Sequence, residues 1–442
     1  MRIFTLIWLG QLVYLIGIWM TGFALDISVF KQTGSATQFA LLILTCTIPP
    51  IIISPLAGTL VDRWDRRSTM IISHICTGLF TLVLLFLVSI GQLAIWHIYL
   101  RNICTSIIGA FNTPAYKAAI TSLVPQKDLS RASGMVQLAI GIQQIISPLI
   151  AGALLDSIHL QGILIIDFFG LLTALTTLIL VKFSNQINQP SDENDQPNKT
   201  SSLWREIIYG WTYLTQLTGL PTFVIIFTFY QFLVGFVSVL VYPLILRVTT
   251  PDNLGKIAFI SGLGMILGSI VMSSWKLNWQ NLISPVLIGM SLNGLWIAVA
   301  GSRPSLIQIG IATLFFFMTA PVVNGLVQMI FQIKVAENVQ GRVFALTGAI
   351  SGAAVPLAAV FAGPLADYVF EPLMAFDGPW SKAPIGQLIG TGPGRGTGLL
   401  FVIVGCSIFI AAIIASQHPA IRKLEVNSPE HPVPSPEQMT VV

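Results

Sequence analysis

Long apolar segments alternate with short polar ones along the whole chain. Each apolar segment has about 20 residues or more, the length a helix needs to cross a hydrocarbon core of roughly 30 Å. The pattern therefore predicts an all-α membrane protein with twelve transmembrane helices. We expect them at about 4–30, 39–61, 69–90, 93–123, 131–156, 161–182, 219–247, 253–275, 279–300, 304–333, 338–366 and 397–416.

A polar segment divides the twelve apolar ones into two sets of six. Residues 184–202 are rich in Asn, Gln, Asp and Pro, a composition typical of a disordered linker. The apolar positions in 203–214 recur at helical spacing and predict an amphipathic helix on the membrane face. The expected units are a first half at 1–183, a linker with this helix at 184–218, a second half at 219–416 and a disordered tail at 417–442.

Composition supports a membrane protein and argues against an enzyme. Apolar residues make up 54% of the chain and charged residues 9%, against about a quarter charged in soluble domains. The sequence has no GxxxxGK[ST] phosphate loop, no nucleophile elbow and no His/Cys/Glu cluster with metal-ligand spacing. We therefore expect no catalytic residue, no metal, no cofactor and no nucleic-acid partner.

The distribution of basic residues predicts the orientation. With the N-terminus in the cytoplasm, fourteen Lys and Arg residues fall on cytoplasmic segments and six on outer segments. Cytoplasmic loops carry the excess of basic residues in membrane proteins. Both termini are therefore expected on the cytoplasmic side of a cell (inner) membrane that the chain crosses many times.

An internal repeat relates the two halves. Val124–Asp156 aligns without gaps onto Val335–Asp367, which places Arg131 on Arg342 and the final Asp of one copy on that of the other. The repeat makes the fifth and eleventh predicted helices equivalent. Parallel halves of this kind are a recurring plan among transporters.

The polar loop after the second predicted helix reads GTLVDRWDRRSTM, from Gly58 to Met70. It resembles the signature loop of the major facilitator superfamily, and the segments TGSATQF, FEPLM and GTGPGRG resemble the branch with the macrolide efflux proteins and the enterobactin exporter. The resemblance implies a fold of two six-helix halves and the transport of a small molecule. The positions that match the signature are Gly58, Asp62, Arg63, Arg66 and Arg67.

Within this loop, Asp62 is the candidate gating residue. A carboxylate is stabilised at the positive N-terminus of a helix, and the resemblance implies that this is the eleventh helix, which begins near Arg342. Such a contact would close the cytoplasmic side and break on opening. The alternative is that Arg63, Arg66 and Arg67 only enforce the orientation.

Charged residues inside predicted membrane helices are candidates for function, because their burial in lipid is costly. Asp26 and Arg101 lie at similar depths in the first and fourth helices. They could pair across a central cavity, with a proton or substrate competing for Asp26; alternatively, Asp26 faces water at the outer interface. Asp167, near the outer end of the sixth helix, is interpreted as structural, since a helix N-terminus favours a carboxylate.

The fifth predicted helix carries Ser147, Pro148 and Gly152 in the segment IISPLIAG. This segment resembles the antiporter motif of drug exporters, with small residues in place of some glycines. A proline bends a membrane helix, and small residues allow close packing. The motif favours export modestly, since small residues are common in membrane helices.

Uncharged amides are the candidate cavity residues. Asn324 and Gln328 are four apart and share a helix face, and Asn112 and Gln143 are candidates in the first half. With many aromatic residues nearby in sequence, they suit an amphipathic organic molecule.

These features predict a secondary active transporter that exports a drug, macrolide, siderophore or peptide-like metabolite by proton coupling. The alternatives are a lipid flippase or small-molecule importer of the same fold, and a receptor or assembly factor that does not transport. The expected partners are the small-molecule substrate, protons and membrane lipids, with the chain acting as a monomer.

Overall fold

The computed structural model describes residues 2–61, 64–125, 128–180, 211–217, 219–275, 282–335 and 337–426 of the 442-residue chain. These residues are mostly helical. The helices are α1 (Arg2–Thr33), α2 (Ala36–Val61), α3 (Arg66–Ser89), α4 (Ile95–Leu123), α5 (Leu129–Leu180), α6 (Leu220–Leu246), α7 (Pro251–Ser274), α8 (Ile283–Ser302), α9 (Leu306–Lys334), α10 (Glu337–Pro364), α11 (Glu371–Met374), α12 (Pro384–Ile389), α13 (Arg395–Gln417) and α14 (Pro419–Val426). A π-helical turn, Leu365–Phe370, joins α10 to α11.

Ten helical stretches in the described residues are long and apolar enough to cross a bilayer. The apolar stretch of α5 is 50 residues long, and at about 1.5 Å per residue it is more than twice the thickness of the hydrocarbon core. His159 breaks it, with φ 55° and ψ −177°, into two arms that each suffice for one crossing. With α4, which has 29 residues, the helices are consistent with the predicted twelve crossings.

The helices pack as two bundles that meet along two crossings. In the first half α1 packs against α5, and both α2 and α3 pack against α4. In the second half α8 packs against α9 and α13, and α6 packs against α10. The halves meet where α5 crosses α7 and where α2 crosses α10. The internal repeat relates these two crossings, because it equates the first arm of α5 with α10.

Glycines bring the backbones into contact at both crossings. A Cβ on Gly152 of α5 would lie 2.7 Å from the carbonyl oxygen of Pro251 at the start of α7. At the other crossing, a Cβ on Gly363 of α10 would lie 2.6 Å from the Cα of Thr37. No side chain fits in such a space, so glycine is what allows each pair of helices to approach.

The halves are closed at one end of the bundle. There, the ring of Tyr242 on α6 lies 5.6 Å from that of Phe23 and 5.9 Å from that of Phe39, both in the first half. Cavities open toward the opposite end, where Asn324 and Gln328 are exposed. We call the closed end the outer end, following the orientation that the distribution of basic residues predicts.

The tail differs from the sequence-based expectation. The tail expected to be disordered from residue 417 begins with α14, whose Ile421 and Leu424 are buried in the core of the second half. These two side chains are three residues apart and share one helix face. Of the predicted amphipathic helix at 203–214, residues 211–216 are helical, and the rest lies outside the described residues, as do 181–210 of the linker and the tail beyond 426.

We predict that Gly152→Val destabilises the protein by about 1–3 kcal/mol, because the added side chain must push α5 and α7 apart. Thermal unfolding of the purified protein in detergent, followed by tryptophan fluorescence, measures the effect. Gly141→Val on the same helix is the matched control, since a Cβ on Gly141 has no neighbour within 4 Å. Equal melting temperatures for the two variants would contradict this account of the crossing.

Candidate functional site

A cavity of about 320 Å³ lies among α6, α7, α8, α9 and α13 in the second half. Aromatic side chains form much of its wall, including Tyr230, Trp296 and Phe316. Its polar lining consists of hydroxyls and amides, and none of the lining residues is charged. Such a site suits an apolar or aromatic group and offers a few hydrogen bonds for orientation.

Contacts behind the wall hold the aromatic groups in place. The ring of Trp296 stacks on that of Phe315, with centroids 4.6 Å apart and planes 13° from parallel. The Asn293 side chain, which is fully buried, donates from Nδ2 to the Tyr230 hydroxyl at 2.6 Å and accepts a hydrogen bond from Thr319. These contacts fix the cavity wall before any ligand binds.

Amides connect this cavity to a second one nearer the inner end. Gln231 and Asn324 line both cavities, and Gln328 lines the second, whose volume is about 250 Å³. Asn324 and Gln328 are both exposed, on one face of α9. The structure therefore brings these two predicted residues to cavity walls.

The other two predicted amides occupy a different environment. Gln143 on α5 is buried, and Asn112 on α4 is partly buried. Neither side-chain oxygen has a hydrogen-bond partner among the described residues. Neither residue lines the two cavities of the second half.

Ionisable groups are buried in the membrane core of the first half. Arg101 on α4 is 5% exposed and donates from Nη1 to Asn102 Oδ1 at 3.2 Å, while its Nε and Nη2 have no partner among the described residues. Asp26 on α1 is partly exposed and lies within electrostatic range of Arg101. Among the described residues, the two form no ion pair within 4.0 Å.

Asp167 differs from its expected place at a helix N-terminus. It lies eight residues beyond His159, whereas the free backbone N–H groups of a helix are those of its first four residues. Its side chain is 1% exposed and accepts a hydrogen bond from the Thr81 hydroxyl of α3 at 3.1 Å. Asp167 therefore contacts neighbouring helices and does not lie in the first turn of its own helix.

The small-residue segment of α5 joins this helix to α1 and α7. The Ser147 hydroxyl donates to the carbonyl oxygen of Ile16 at 3.1 Å. Pro148 is buried, and its carbonyl oxygen would lie 2.6 Å from a Cβ on Gly255. Ser147, Pro148 and Gly152 thus pack against other helices and do not line the cavities described above.

Part of the predicted gating loop can be placed. Asp62 and Arg63, and the side chain of Arg342, lie outside the described residues; Gly58 belongs to α2. Arg66 donates to the carbonyl oxygen of Ala118 at 2.8 Å, and Arg67 to those of Leu178 and Ile179 at 2.9 and 2.8 Å. Arg67 therefore binds carbonyls in the last turn of α5, which helix termini favour, and Arg66 connects the start of α3 to the inner part of α4.

An ionic cluster closes the outer end. The Arg247 guanidinium, just after α6, donates from Nη2 to Asp367 Oδ1 at 3.1 Å and from Nη1 to Glu371. These three side chains are 13%, 13% and 16% exposed, so water screens their charges weakly. We refer to Arg247, Asp367 and Glu371 as the outer ionic cluster.

Asp367 connects the outer ionic cluster to the first half. Its carboxylate accepts from the Ser35 hydroxyl at 2.6 Å and from the backbone N–H groups of Ala36 and Thr37 at 3.0 and 2.8 Å. It therefore caps the N-terminus of α2, where a carboxylate is most favourable. This contact must break if the outer ends of α2 and α10 separate.

The equivalent pair of the first half is weaker. Asp156, which the repeat aligns with Asp367, contacts Lys31 at the end of α1 with N–O 3.5 Å, and the two side chains are 60% and 51% exposed. Exposed pairs of this kind contribute little to stability. The outer closure is thus asymmetric, although the repeat relates the two carboxylates.

Comparison with known proteins identifies the family. The family model of the Major Facilitator Superfamily matches residues 7–359. The chain belongs to the major facilitator superfamily. It is a multi-pass membrane transporter of this family and not an enzyme.

The relatives include exporters. Macrolide efflux protein A of Streptococcus pyogenes is 28% identical over 376 residues, which cover 83% of this chain and 90% of that protein. The enterobactin exporter EntS of Shigella flexneri is 22% identical over 152 residues, 34% of this chain and 37% of EntS. Both confirm the branch that the sequence segments predict.

The fold resembles that of a solved transporter. The crystal structure of a bacterial homologue of the human lysosomal transporter Spinster, in an inward-facing and unoccupied conformation, has a TM-score of 0.67 with 16% sequence identity. The match covers 97% of this chain and 98% of that one. The likeness confirms the major facilitator fold and is consistent with two six-helix halves.

We predict that Asp367→Asn weakens closure of the outer end, since it removes one charge from a partly buried pair and from a helix cap, an effect of about 1–3 kcal/mol. Spin labels at the exposed positions Gln32 and Phe376, in a cysteine-free background, report the outer separation by electron–electron double resonance. The population with the longer distance should rise about tenfold.

Asp156→Asn is the matched control for this measurement, because Asp156 is the repeat equivalent but forms an exposed pair. Its distance distribution should stay like that of the unmodified protein. A shift of equal size in both variants, or none in Asp367→Asn, would show that the outer ionic cluster does not hold this end closed.

Proposed function

We propose that the chain is a proton-coupled exporter of amphipathic small molecules, acting as a monomer in a bacterial inner membrane with both termini in the cytoplasm. The observation that carries the proposal is the uncharged, aromatic cavity in the second half, whose amides reach toward the inner end. A molecule with an apolar body and a few hydrogen-bonding groups fits this chemistry. A phosphate or other strongly charged substrate would find no counter-charge on the walls.

Export is supported by the relatives that share most of the chain. Macrolide efflux protein A matches over 90% of its own length, so the likeness extends to both halves of that protein. The closed outer end and the cavity toward the inner end describe the state in which an exporter would take its substrate from the cytoplasm. Import would use the same fold, and nothing in the cavity favours it.

Proton coupling is supported by the location of charge. The buried Arg395 of the second half lies at the outer end, where α13 begins, whereas the charged side chains deeper in the membrane, Asp26, Arg101 and Asp167, all belong to the first half among the described residues. The cavity of the second half has none. We infer that the first half binds the proton and the second half the substrate, with Asp26 and Arg101 as coupling residues and the loop that contains Asp62 as the inner gate.

Transport assays in inside-out membrane vesicles test this function. We predict that vesicles containing the protein accumulate radiolabelled erythromycin when energised, and that a proton uncoupler abolishes the accumulation, because the proton gradient is the energy source. Vesicles without the protein are the control. Accumulation that survives the uncoupler would contradict proton coupling, and no accumulation of erythromycin or of several other amphipathic compounds would contradict export.

We predict that Phe316→Ala raises the half-saturating concentration for erythromycin about tenfold, as expected from the loss of about 1.4 kcal/mol of contact with an apolar group. The same vesicle assay measures it. Phe361→Ala is the matched control, since Phe361 lies on α10, is 52% exposed and does not line the cavity. Equal effects of the two substitutions would show that the cavity is not the binding site.

A further inference from the structure

Asp167 is a buried carboxylate at a close contact between helices. A Cβ on Gly17 of α1 would lie 2.9 Å from the Asp167 Cα and 3.1 Å from its Oδ1, so the glycine allows α1 to approach the carboxyl group. Oδ2 accepts the hydrogen bond from Thr81. Oδ1 has no hydrogen bond of standard geometry among the described residues, and its polar neighbour is the buried Thr21 hydroxyl of α1, which interacts with the carboxyl group. One oxygen of this carboxyl group is thus available to carry a proton.

The charges around Asp167 do not balance when all are ionised. Arg101 lies within electrostatic range of Asp167 and of Asp26, and it forms no ion pair within 4.0 Å with either among the described residues. The other titratable groups within electrostatic range of this cluster are Tyr14 of α1, Cys46 of α2 and Tyr242 of α6. His74 of α3 packs on Tyr14, with ring centroids 4.5 Å apart. Two carboxylates and one guanidinium carry a net charge of −1, and one bound proton makes the cluster neutral. Since an uncompensated buried charge is costly, the cluster favours one proton.

The two carboxyl groups differ in how far they are exposed, and this difference favours Asp167 as the group that binds the proton. Asp26 is partly exposed, whereas Asp167 is 1% exposed. Desolvation penalises the charged form of a carboxyl group. Protonation at Oδ1 of Asp167 would leave the Thr81 hydrogen bond on Oδ2 intact, and it would leave Asp26 as the partner of Arg101.

A stripe of hydroxyl groups connects Asp167 with the inner end. Thr69, Ser73, Thr77 and Thr81 are four residues apart on α3 and are all buried, at 6%, 6%, 3% and 1% exposure. Successive hydroxyls are therefore about 6 Å apart along the helix, a gap that one water molecule can bridge. The first two line a cavity of about 460 Å³ at the inner end of α3.

We propose that Asp167 is the proton-binding residue of this transporter, that Arg101 is the counter-ion it shares with Asp26, and that the hydroxyl stripe of α3 is the route to the inner solution. The assignment rests on the proposed proton-coupled export. In the structure with a closed outer end, the proton on Oδ1 leaves along the stripe toward the cytoplasm. The cluster then has a net charge of −1. It must bind another proton before the transporter returns to this state.

Infrared spectroscopy of the full chain in lipid nanodiscs tests the assignment without any transported compound. Spectra recorded at a series of pH values should contain the carbonyl stretching band of a protonated, buried carboxylic acid, which disappears as pH rises. Asp167→Asn should abolish this band. Asp26→Asn leaves one carboxylate facing one guanidinium, so the band of Asp167 should disappear at a lower pH than in the unmodified protein. Thr81→Val, which preserves side-chain volume, should retain the band and move it to higher wavenumber because a hydrogen bond to the carboxyl group is lost.

The outcomes separate this inference from the proposed function. A band that persists in Asp167→Asn or is missing from the unmodified protein overturns the assignment, as does a band that disappears at the same pH in Asp26→Asn and in the unmodified protein. If Asp167→Asn does not fold, Thr81→Val decides, and an unshifted band overturns it. Failure of the unmodified protein to accumulate erythromycin in vesicles contradicts export and leaves the infrared result unaffected.

Discussion

The capping of α2 by Asp367 is the contact on which the described conformation depends. This carboxylate belongs to the second half, yet its hydrogen bonds go to Ser35, Ala36 and Thr37 of the first. Arg247 forms ion pairs with Asp367 and with Glu371. Glu371 in turn accepts hydrogen bonds from the N–H groups of Gly394 and Thr397 at 3.0 and 2.9 Å. One guanidinium thus links the caps of two helices, α2 and α13.

The two halves have diverged in chemistry while keeping the same architecture. The first half contains the buried Arg101 and Asp167, and its outer pair, Lys31 with Asp156, is exposed. The second half contains the aromatic cavity and the partly buried outer cluster. A charge in the cavity would bind water tightly and repel an apolar ligand, whereas a proton site needs a charge. Separation of the two functions between halves avoids this conflict.

The sequence predicts the fold well because the bilayer imposes a strong and simple constraint on segment length and polarity. It also predicts Asn324 and Gln328 as cavity residues, since an amide row on one helix face is a local pattern. It places the break between the fifth and sixth helices correctly, close to His159, but it does not predict the contacts of Asp167 with Thr81 and Gly17, because these depend on how α5 packs against α3 and α1. The outer ionic cluster could be anticipated only in part: the repeat singles out Asp367, but Arg247 and Glu371 reach it through tertiary packing.

If proton binding at Asp167 is coupled to closure of the outer end, the two sites must be connected. Helix α1 provides such a connection. Gly17 contacts Asp167, and α1 ends at Thr33, directly before Ser35 and the capped N-terminus of α2. A change in the charge of Asp167 alters its attraction to Arg101 and thus the packing of α4 against α1. Since packed interfaces shift between discrete arrangements, a small displacement of α1 would reach the segment held by Asp367. The α1–α2 connection is therefore the place where proton binding in the first half can affect closure by the second.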